Sequence, residues 1–361
     1  MPRFKFSEIV NNVRESRAPT PADEASYIGL EHLDSGSLFV SRWGSDVPLK
    51  GHKLQMKKGD LLFGKRNAYL RRAAIAPHDG LFSAHGMVFR PNVKVVDKRL
   101  FPFFVGSDAV FDAAIRISVG SLSPTVNWRD LAELEFELPP LEVQPVIAEK
   151  LWAANETRES YKRLLSIIDD LVKSQFVEMF GEISFNSYCM DFTDAFEIRD
   201  DLRKPISDAV RSSMRTGTLF PYYGVNGQVD RINEYLMDCD AICLAEDCGS
   251  YGPDEPSSYI VHGKCWVNNH VHVLIPKECC DIIFANEYFR ILDMSEYASG
   301  TTRSKLTQAK MKTIPMMIPP LPLQRRFAAF VAAADKSKFA VRKSLEKLDA
   351  VYKALSKEAF G

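Results

Sequence analysis

Between Lys50 and Arg72 the chain carries eight basic side chains (Lys50, Lys53, Lys57, Lys58, Lys65, Arg66, Arg71 and Arg72) against one acid, Asp60, with Phe63 and Tyr69 among them. Such a run suits contact with phosphate, because cations release the counterions condensed on a nucleic-acid backbone. Taken alone, a solvated basic loop is an equal alternative. The chain as a whole has a net charge of -1 and is not drawn to nucleic acid by bulk charge, so local patches must decide.

Other chemistries find less support. The seven cysteines form no regular framework, and Cys239, Cys243 and Cys248 lack the paired C-x-x-C spacing of a structural zinc site, so reduced thiols and no metal are expected. The phosphate loop GxxxxGK[ST] is absent, as are an NPPY-like or DPPY-like methyltransferase run and a Gly-rich cofactor loop. "PDEPSS" is too thin for a nuclease carboxylate cluster. The chain is therefore expected to be no enzyme and to hold no cofactor. No window approaches a membrane span, no signal peptide is recognisable, and a cytoplasmic protein is expected.

The elements that position these residues come in duplicate. "LPPLEVQ" ending at Gln144 and "IPPLPLQ" ending at Gln324 are 180 residues apart, and the same offset aligns Gly120 with Gly300 and Gly181 with Gly361. After each proline pair the apolar residues take a heptad spacing: Ile147, Leu151, Ala154, Tyr161, Leu165, Ile168, Val172 and Met179, then Phe327, Val331, Ala334, Val341, Leu345, Leu348, Tyr352 and Ala359. Arg158 and Lys338 interrupt the two stripes at one equivalent place. The prolines favour an extended lead-in, Pro145 fits a first helical turn, and Gly181 and Gly361 fit left-handed C-terminal caps. Each helix of roughly 38 residues is about 57 Å long. Such a stripe buries best against its own copy, antiparallel.

The expected fold is α+β: target heads at 1–138 and 182–318, spacer helices at 139–181 and 319–361, with an internal pseudo-two-fold repeat and the heads at opposite ends of a coiled-coil spacer. Inside the heads, "AICLA", "HVHVLI" and "MVFRP" read as strands, and "DIIFANEYFRIL" and "LFPFFVGSDAVFDAAI" as helices. His85 and His270 fall in one column at an offset of 185, lack any partnered ligand spacing, and are expected to be hydrogen-bonded structural histidines.

The duplicated "PPLxxQ" with its helix, "YIGLEHLDSG" (27–36), "PYYGVNG" (221–227), "AEDCGSYG" (245–252), "WVNNHVHVL" (266–274) and "SGTTRSKLTQ" (299–308) resemble the specificity subunits of type I restriction-modification systems over essentially the full chain. That resemblance implies a protein without chemistry of its own, in which each head reads one half of a split double-stranded DNA target. The helices would act as a ruler and dock methyltransferase subunits, two by expectation, with restriction subunits joining through the complex. A rod of that length covers about 17 base pairs. The alternative is an adaptor protein with twin protein-binding heads on a coiled-coil spacer.

In the first head Lys65, Arg66, Tyr69, Arg71 and Arg72 follow a predicted strand and are the candidate DNA contacts, Arg being the usual reader of guanine. The second head is acidic between Asp230 and Pro256, with eight acids against Arg231 alone, so its phosphate contacts are sought in Arg203, Lys204, Arg211, Arg215, Arg303 and Lys305. Tyr222, Tyr223 and Asn226 lie on a Gly-punctuated loop, and Asn can read adenine; a structural turn is the alternative. Glu246 or Asp247 could accept from a cytosine amino group, with a turn role equally open.

Overall fold

The computed structural model describes residues 1–182, 188–247, 249–252, 255, 257–300 and 304–361. It divides into two units, Met1–Lys162 with Lys343–Gly361, and Arg163–Arg342. Both are α+β, so the fold class expected from the sequence is the one found: two heads linked by long helices.

In the first unit the strands are β1 (Arg3–Lys5), β2 (Val10–Val13), β3 (Ser16–Arg17), β4 (Lys53–Met56), β5 (Leu61–Phe63), β6 (Ala73–Ile75), β7 (Gly80–Phe82), β8 (Met87–Pro91) and β9 (Glu135–Glu137). They form an antiparallel sheet in the order β2-β8-β5-β6, a second sheet β3-β4-β7 and the pair β1-β9. The central strand is buried on both faces, and its period of two sends its side chains to two cores. Leu61 and Phe63 enter an aromatic core with Phe6, Phe89, Phe104 and Phe111, whereas Leu62 packs with Ile28, Met56 and Phe82.

The second unit repeats that plan. Its strands are β10 (Cys189–Met190), β11 (Phe196–Ile198), β12 (Phe220–Gly224), β13 (Gly227–Ile232), β14 (Met237–Asp238), β15 (Ala241–Ala245), β16 (Ser258–Val261), β17 (Lys264–Val267), β18 (Val271–Pro276) and β19 (Met316–Met317). The sheet β11-β18-β15-β16 matches β2-β8-β5-β6 strand for strand, and β10-β19 matches β1-β9. Again the central strand splits its side chains, Ile242 and Leu244 to one core and Ala241 and Cys243 to the other. The strands read from "AICLA", "HVHVLI" and "MVFRP" are β15, β18 and β8.

"DIIFANEYFRIL" forms one helix, Ile282–Ile291. "LFPFFVGSDAVFDAAI" is not one helix but two, Phe101–Val105 and Asp108–Arg116. The break has a local cause: Ser107 takes an extended conformation and its hydroxyl accepts the Val110 N–H at 3.4 Å, starting a new helix.

The long helices run Gln144–Phe180 and Leu321–Phe360. Their C-terminal glycines have the left-handed φ that the cap requires, 76° at Gly181 and 90° at Gly361. Within the first unit Arg158 Nε donates to Asp349 Oδ1 at 2.6 Å while its guanidinium lies 4.7 Å from the Tyr352 ring centre. Within the second, Lys338 Nζ meets Asp169 Oδ1 at 3.1 Å and Asp335 Oδ1 at 2.7 Å. Arg158 and Lys338, like Asp169 and Asp349, are equivalent under the repeat, so the charged break in each stripe is answered by the other helix running antiparallel.

The glutamine of each "PPLxxQ" run is fully buried and acts as a three-way clamp. Gln144 Oε1 accepts the Asp97 N–H at 2.6 Å, and its amide donates to the carbonyls of Val95 at 3.0 Å and Pro139 at 2.9 Å. Gln324 repeats this with the Asp281 N–H at 2.8 Å and the carbonyls of Cys279 at 2.9 Å and Pro319 at 2.6 Å. The short run thus ties a helix start to its head, and that is why it occurs twice.

Candidate nucleic-acid interface

In the first unit the chain leaves β5 at Gly64 and makes a strap held by its backbone. The Lys65 carbonyl accepts the Val126 N–H at 2.9 Å, the Arg66 N–H donates to the His85 carbonyl at 3.3 Å, and the Asn67 N–H to the Pro124 carbonyl at 2.7 Å. Asn67 and Arg71 both take left-handed φ values, 55° and 48°, and bracket one short turn. Fixed in this way, the strap leaves Arg66 and Tyr69 exposed. Among the described residues Arg66 Nη2 reaches a neutral partner alone, Ser123 Oγ at 3.0 Å.

Lys65 also lines a surface pocket of about 240 Å³ with Asn12, Val13, Arg14, Leu54, Gly86, Met87, Val126, Asn127 and Trp128. Two cations and no carboxylate line it. Neither Arg14 nor Lys65 has an ion-pair partner among the described residues. His85 registers the same field, its imidazolium disfavoured first by burial and then by Arg66, Lys65 and Lys53. Arg71 stands apart, its guanidinium divided between Asp108 at 2.7 Å and Asp112. Arg72 is half-buried and its carbonyl accepts the Gly64 N–H at 2.9 Å.

The second unit treats its candidates differently. Arg203 is not a free cation: its guanidinium bonds Glu246 and the Val271 carbonyl at 2.8 Å and lies 3.2 Å from Asp200. Lys305 Nζ sits 3.2 Å from Glu246 Oε1. Arg211 and Arg215 are likewise paired, with Asp230 at 2.9 and 2.6 Å. Tyr222 is 2% exposed in a small core with Ile232 and Trp266, so its ring is packing. Tyr223 is half-buried and stacks on Tyr259 at 5.6 Å between ring centres. Asn226 is exposed at the hairpin tip between β12 and β13, and Lys204 is exposed. Arg303 lies outside the described residues.

At the centre of that network His272 is wholly buried, Nδ1 at 2.8 Å from Asp200 Oδ2 and Nε2 at 2.8 Å from the Leu306 carbonyl. Gln308 Nε2 donates to the same Asp200 oxygen at 3.1 Å. Burial pushes the Asp200 carboxyl up, but the His272 hydrogen bond and charge, the Val273 N–H and Arg203 outweigh it and hold it below its ordinary range. Glu246 follows the same balance, burial against Arg203 and Lys305. The carboxylate imagined as a cytosine reader is therefore an internal ion-pair member. Of the two histidines compared in sequence, His270 Nδ1 meets Asp247 Oδ1 at 2.7 Å and its N–H is capped by Asn268 Oδ1 at 2.9 Å. No group of three or more metal-capable side chains occurs among the described residues. Cys239, Cys243, Cys265, Cys279 and Cys280 are free thiols, and Cys248 lies outside the described residues.

Ladder register makes the two units comparable residue by residue. Val10 faces Pro91 and Phe196 faces Pro276, so Arg14 corresponds to Asp200. The Val126 N–H bonds the Lys65 carbonyl and the Leu306 N–H bonds the Glu246 carbonyl, at 2.9 and 2.7 Å, so Lys65 corresponds to Glu246. The ladders agree, Leu61 facing Phe89 as Ile242 faces Leu274, and one residue further on Arg66 corresponds to Asp247. One scaffold thus carries opposite charge at three equivalent positions. Arg14 lies outside the dense basic run and drew no notice as sequence; the strand register between the copies was the available signal.

A family model described as the type I restriction modification DNA specificity domain matches residues 18–166 and again 192–348. Among curated proteins, a putative type I restriction enzyme specificity subunit of Haemophilus influenzae is 36% identical over 136 residues, 38% of this chain and 34% of that protein. The type I restriction enzyme EcoDI specificity subunit of Escherichia coli is 23% identical over 188 residues, 50% of this chain and 42% of that one. The matches thus span less than half the length of these curated relatives. Of solved structures, a type I restriction-modification S subunit from M. genitalium superposes with a TM-score of 0.61 at 15% identity, covering 100% of this chain and 96% of that one. A second, from work on complex assembly and conformational transition of the type I R-M system, gives 0.52 at 18% identity, covering 99% and 97%. At such identities the likeness is one of fold.

Proposed function

Because the chain belongs to the family of type I restriction modification DNA specificity domains, we propose that it is the DNA-specificity subunit of a type I restriction-modification complex. Each head reads one half of a bipartite duplex target, methyltransferase subunits, two by the symmetry of the repeat, dock on the helices, and restriction subunits join through that complex in the cytoplasm. The chain contributes recognition and geometry, and the chemistry belongs to its partners.

The observation that carries this proposal is the pairing of one scaffold with opposite side chains. Equal strand orders hold Lys65 and Arg66 in one head where Glu246 and Asp247 stand in the other. Two copies of a reader that must recognise unlike sequences need this arrangement, since base edges are told apart by donor and acceptor patterns. The DNA contacts proposed are Lys65, Arg66, Tyr69 and Arg72 in the first head and Lys204, Tyr223 and Asn226 in the second. Arg71, Arg203, Tyr222 and Lys305 hold the reading surfaces in shape. Docking on the helices is supported by Leu164, Ile167 and Leu171, exposed at i, i+3 and i+7 along the first long helix.

Twin protein-binding heads on a spacer remain the competing function, and the basic, carboxylate-free pocket of the first head favours DNA over it. The test is co-expression with the neighbouring methyltransferase followed by methylome sequencing. One split adenine-methylated sequence is expected; a stable complex that imposes no motif contradicts the proposal.

A further inference from the structure

The pocket at the end of β2 has a property that the reading of bases does not require. Its polar lining is Asn12, Arg14, Lys65 and Asn127, its walls are Leu54, Met87, Val126 and Trp128, and no acid lines it. Arg14 is exposed at the rim and Lys65 half-buried. Both are free of ion pairs among the described residues, in a protein that pairs most of the cations discussed above. Beside the pocket, Arg66, Lys65 and Lys53 together disfavour the His85 imidazolium, so the field near Lys65 is positive.

We propose that this pocket is a phosphate-anchoring site for the DNA backbone, present in the first head alone. The inference rests on the DNA-reading function proposed above and deepens it. Arg14 and Lys65 supply charge-assisted donors, and the amides of Asn12 and Asn127 supply neutral ones, a combination suited to the paired oxygens of a phosphodiester. Backbone contacts fix the register of a protein on a duplex without carrying sequence information.

The second head shows why the site is single. Asp200 and Glu246 occupy the positions of Arg14 and Lys65, and His272 stands where the first head has Met87. Three donors converge on one Asp200 oxygen and two cations on Glu246, so the place is filled by an internally neutralised network. A phosphate approaching it meets carboxylates already satisfied by the protein. The two half-sites therefore differ in how they are held: the first is anchored electrostatically here, and the second is not.

The experiment uses the full chain in complex with its methyltransferase subunits, on a duplex bearing the sequence that the methylome defines. Affinity is measured across a range of chloride concentrations. Each phosphate contact contributes about 0.9 to the slope of log affinity against log salt. The double variant R14Q/K65Q is expected to lower that slope by about 1 to 2 while leaving the ratio of target to single-base-variant affinity unchanged. Lys65→Arg should restore most of the effect. Arg199→Gln removes a cation from the second head that is already paired with Asp201, and should leave the slope as it was.

An unchanged slope in R14Q/K65Q overturns the pocket, as does a loss of discrimination confined to one base pair, which would make these residues base readers. Substituting potassium phosphate for chloride at equal ionic strength sets the free ion against the phosphodiester. A drop in phosphate that R14Q/K65Q abolishes is competition of the free ion with the phosphodiester for the pocket and supports the proposal; a drop that persists undiminished in R14Q/K65Q would place phosphate recognition elsewhere and overturn it. A wild-type complex that binds without target preference contradicts the parent function instead, so the two failures are distinguishable.

Discussion

His272 is the residue on which the second head's polar interior turns. Its imidazole is buried between a carboxylate on one side and a backbone carbonyl on the other, 2.8 Å from each. Its carboxylate neighbour is Asp200, which the surroundings hold below the ordinary range. The sign of the pH dependence follows. A carboxyl depressed in the folded state contributes stability that is present above its unfolded value and is lost as pH falls through the folded one. The thermal midpoint should therefore drop on acidification through and below the ordinary carboxylate range, and Asp200→Asn should flatten that drop while costing roughly 2–3 kcal/mol at neutral pH. Thermal melts of the two proteins across pH check this; parallel curves would contradict it. None of this cluster was readable in the sequence. Asp200, Glu246, His272 and Lys305 come from four separate segments: Glu246 read as a cytosine acceptor or a turn residue, Lys305 as a phosphate contact, and Asp200 and His272 drew no notice. Sequence distance also hid the commitment of Arg71 to Asp108 and Asp112.

The long helices, in contrast, were readable almost to the residue. Their heptad spacing, proline lead-ins and capping glycines are all local signals, and local signals survive in a sequence without a fold to interpret them. The helix bounds Gln144–Phe180 and Leu321–Phe360 agree with that spacing. What spacing did not disclose is the role of the repeated glutamine. Gln324→Ala should strand a buried N–H and two carbonyls at one head, at about 1–3 kcal/mol for each group left unsatisfied, and lower the thermal midpoint far more than Glu156→Ala at an exposed helix position. Similar losses at both sites would contradict the clamp. The exposed stripe gives a second expectation for these elements. Replacing Leu164, Ile167 and Leu171 by Ser should leave the chain folded but weaken its co-purification with methyltransferase subunits, as judged by size-exclusion chromatography with circular dichroism of the free chain. Full assembly of the triple variant would count against docking on that face.

At the scale of the molecule the governing fact is duplication followed by divergence. The cores and strand orders of the heads were kept, because each central strand must bury both faces at once and tolerates little change there. Charge at Arg14, Lys65 and Arg66 against Asp200, Glu246 and Asp247 was free to invert because those positions lie at strand ends and on the loops that follow. The sequence alone marks the second head as acidic, but it does not tell which acids are neutralised within the fold. It is the residue correspondence between the heads that turns a charge imbalance into a statement about recognition.

The most direct test of that central claim is methylome sequencing of cells that express the methyltransferase with either the native chain or a chimera whose residues 183–299 come from another member of the family. The native complex should methylate one split sequence, and the chimera should keep one half of it while acquiring a different second half. A chimera that changes both halves, or a native complex that methylates no split sequence at all, would contradict a protein built from two independent readers.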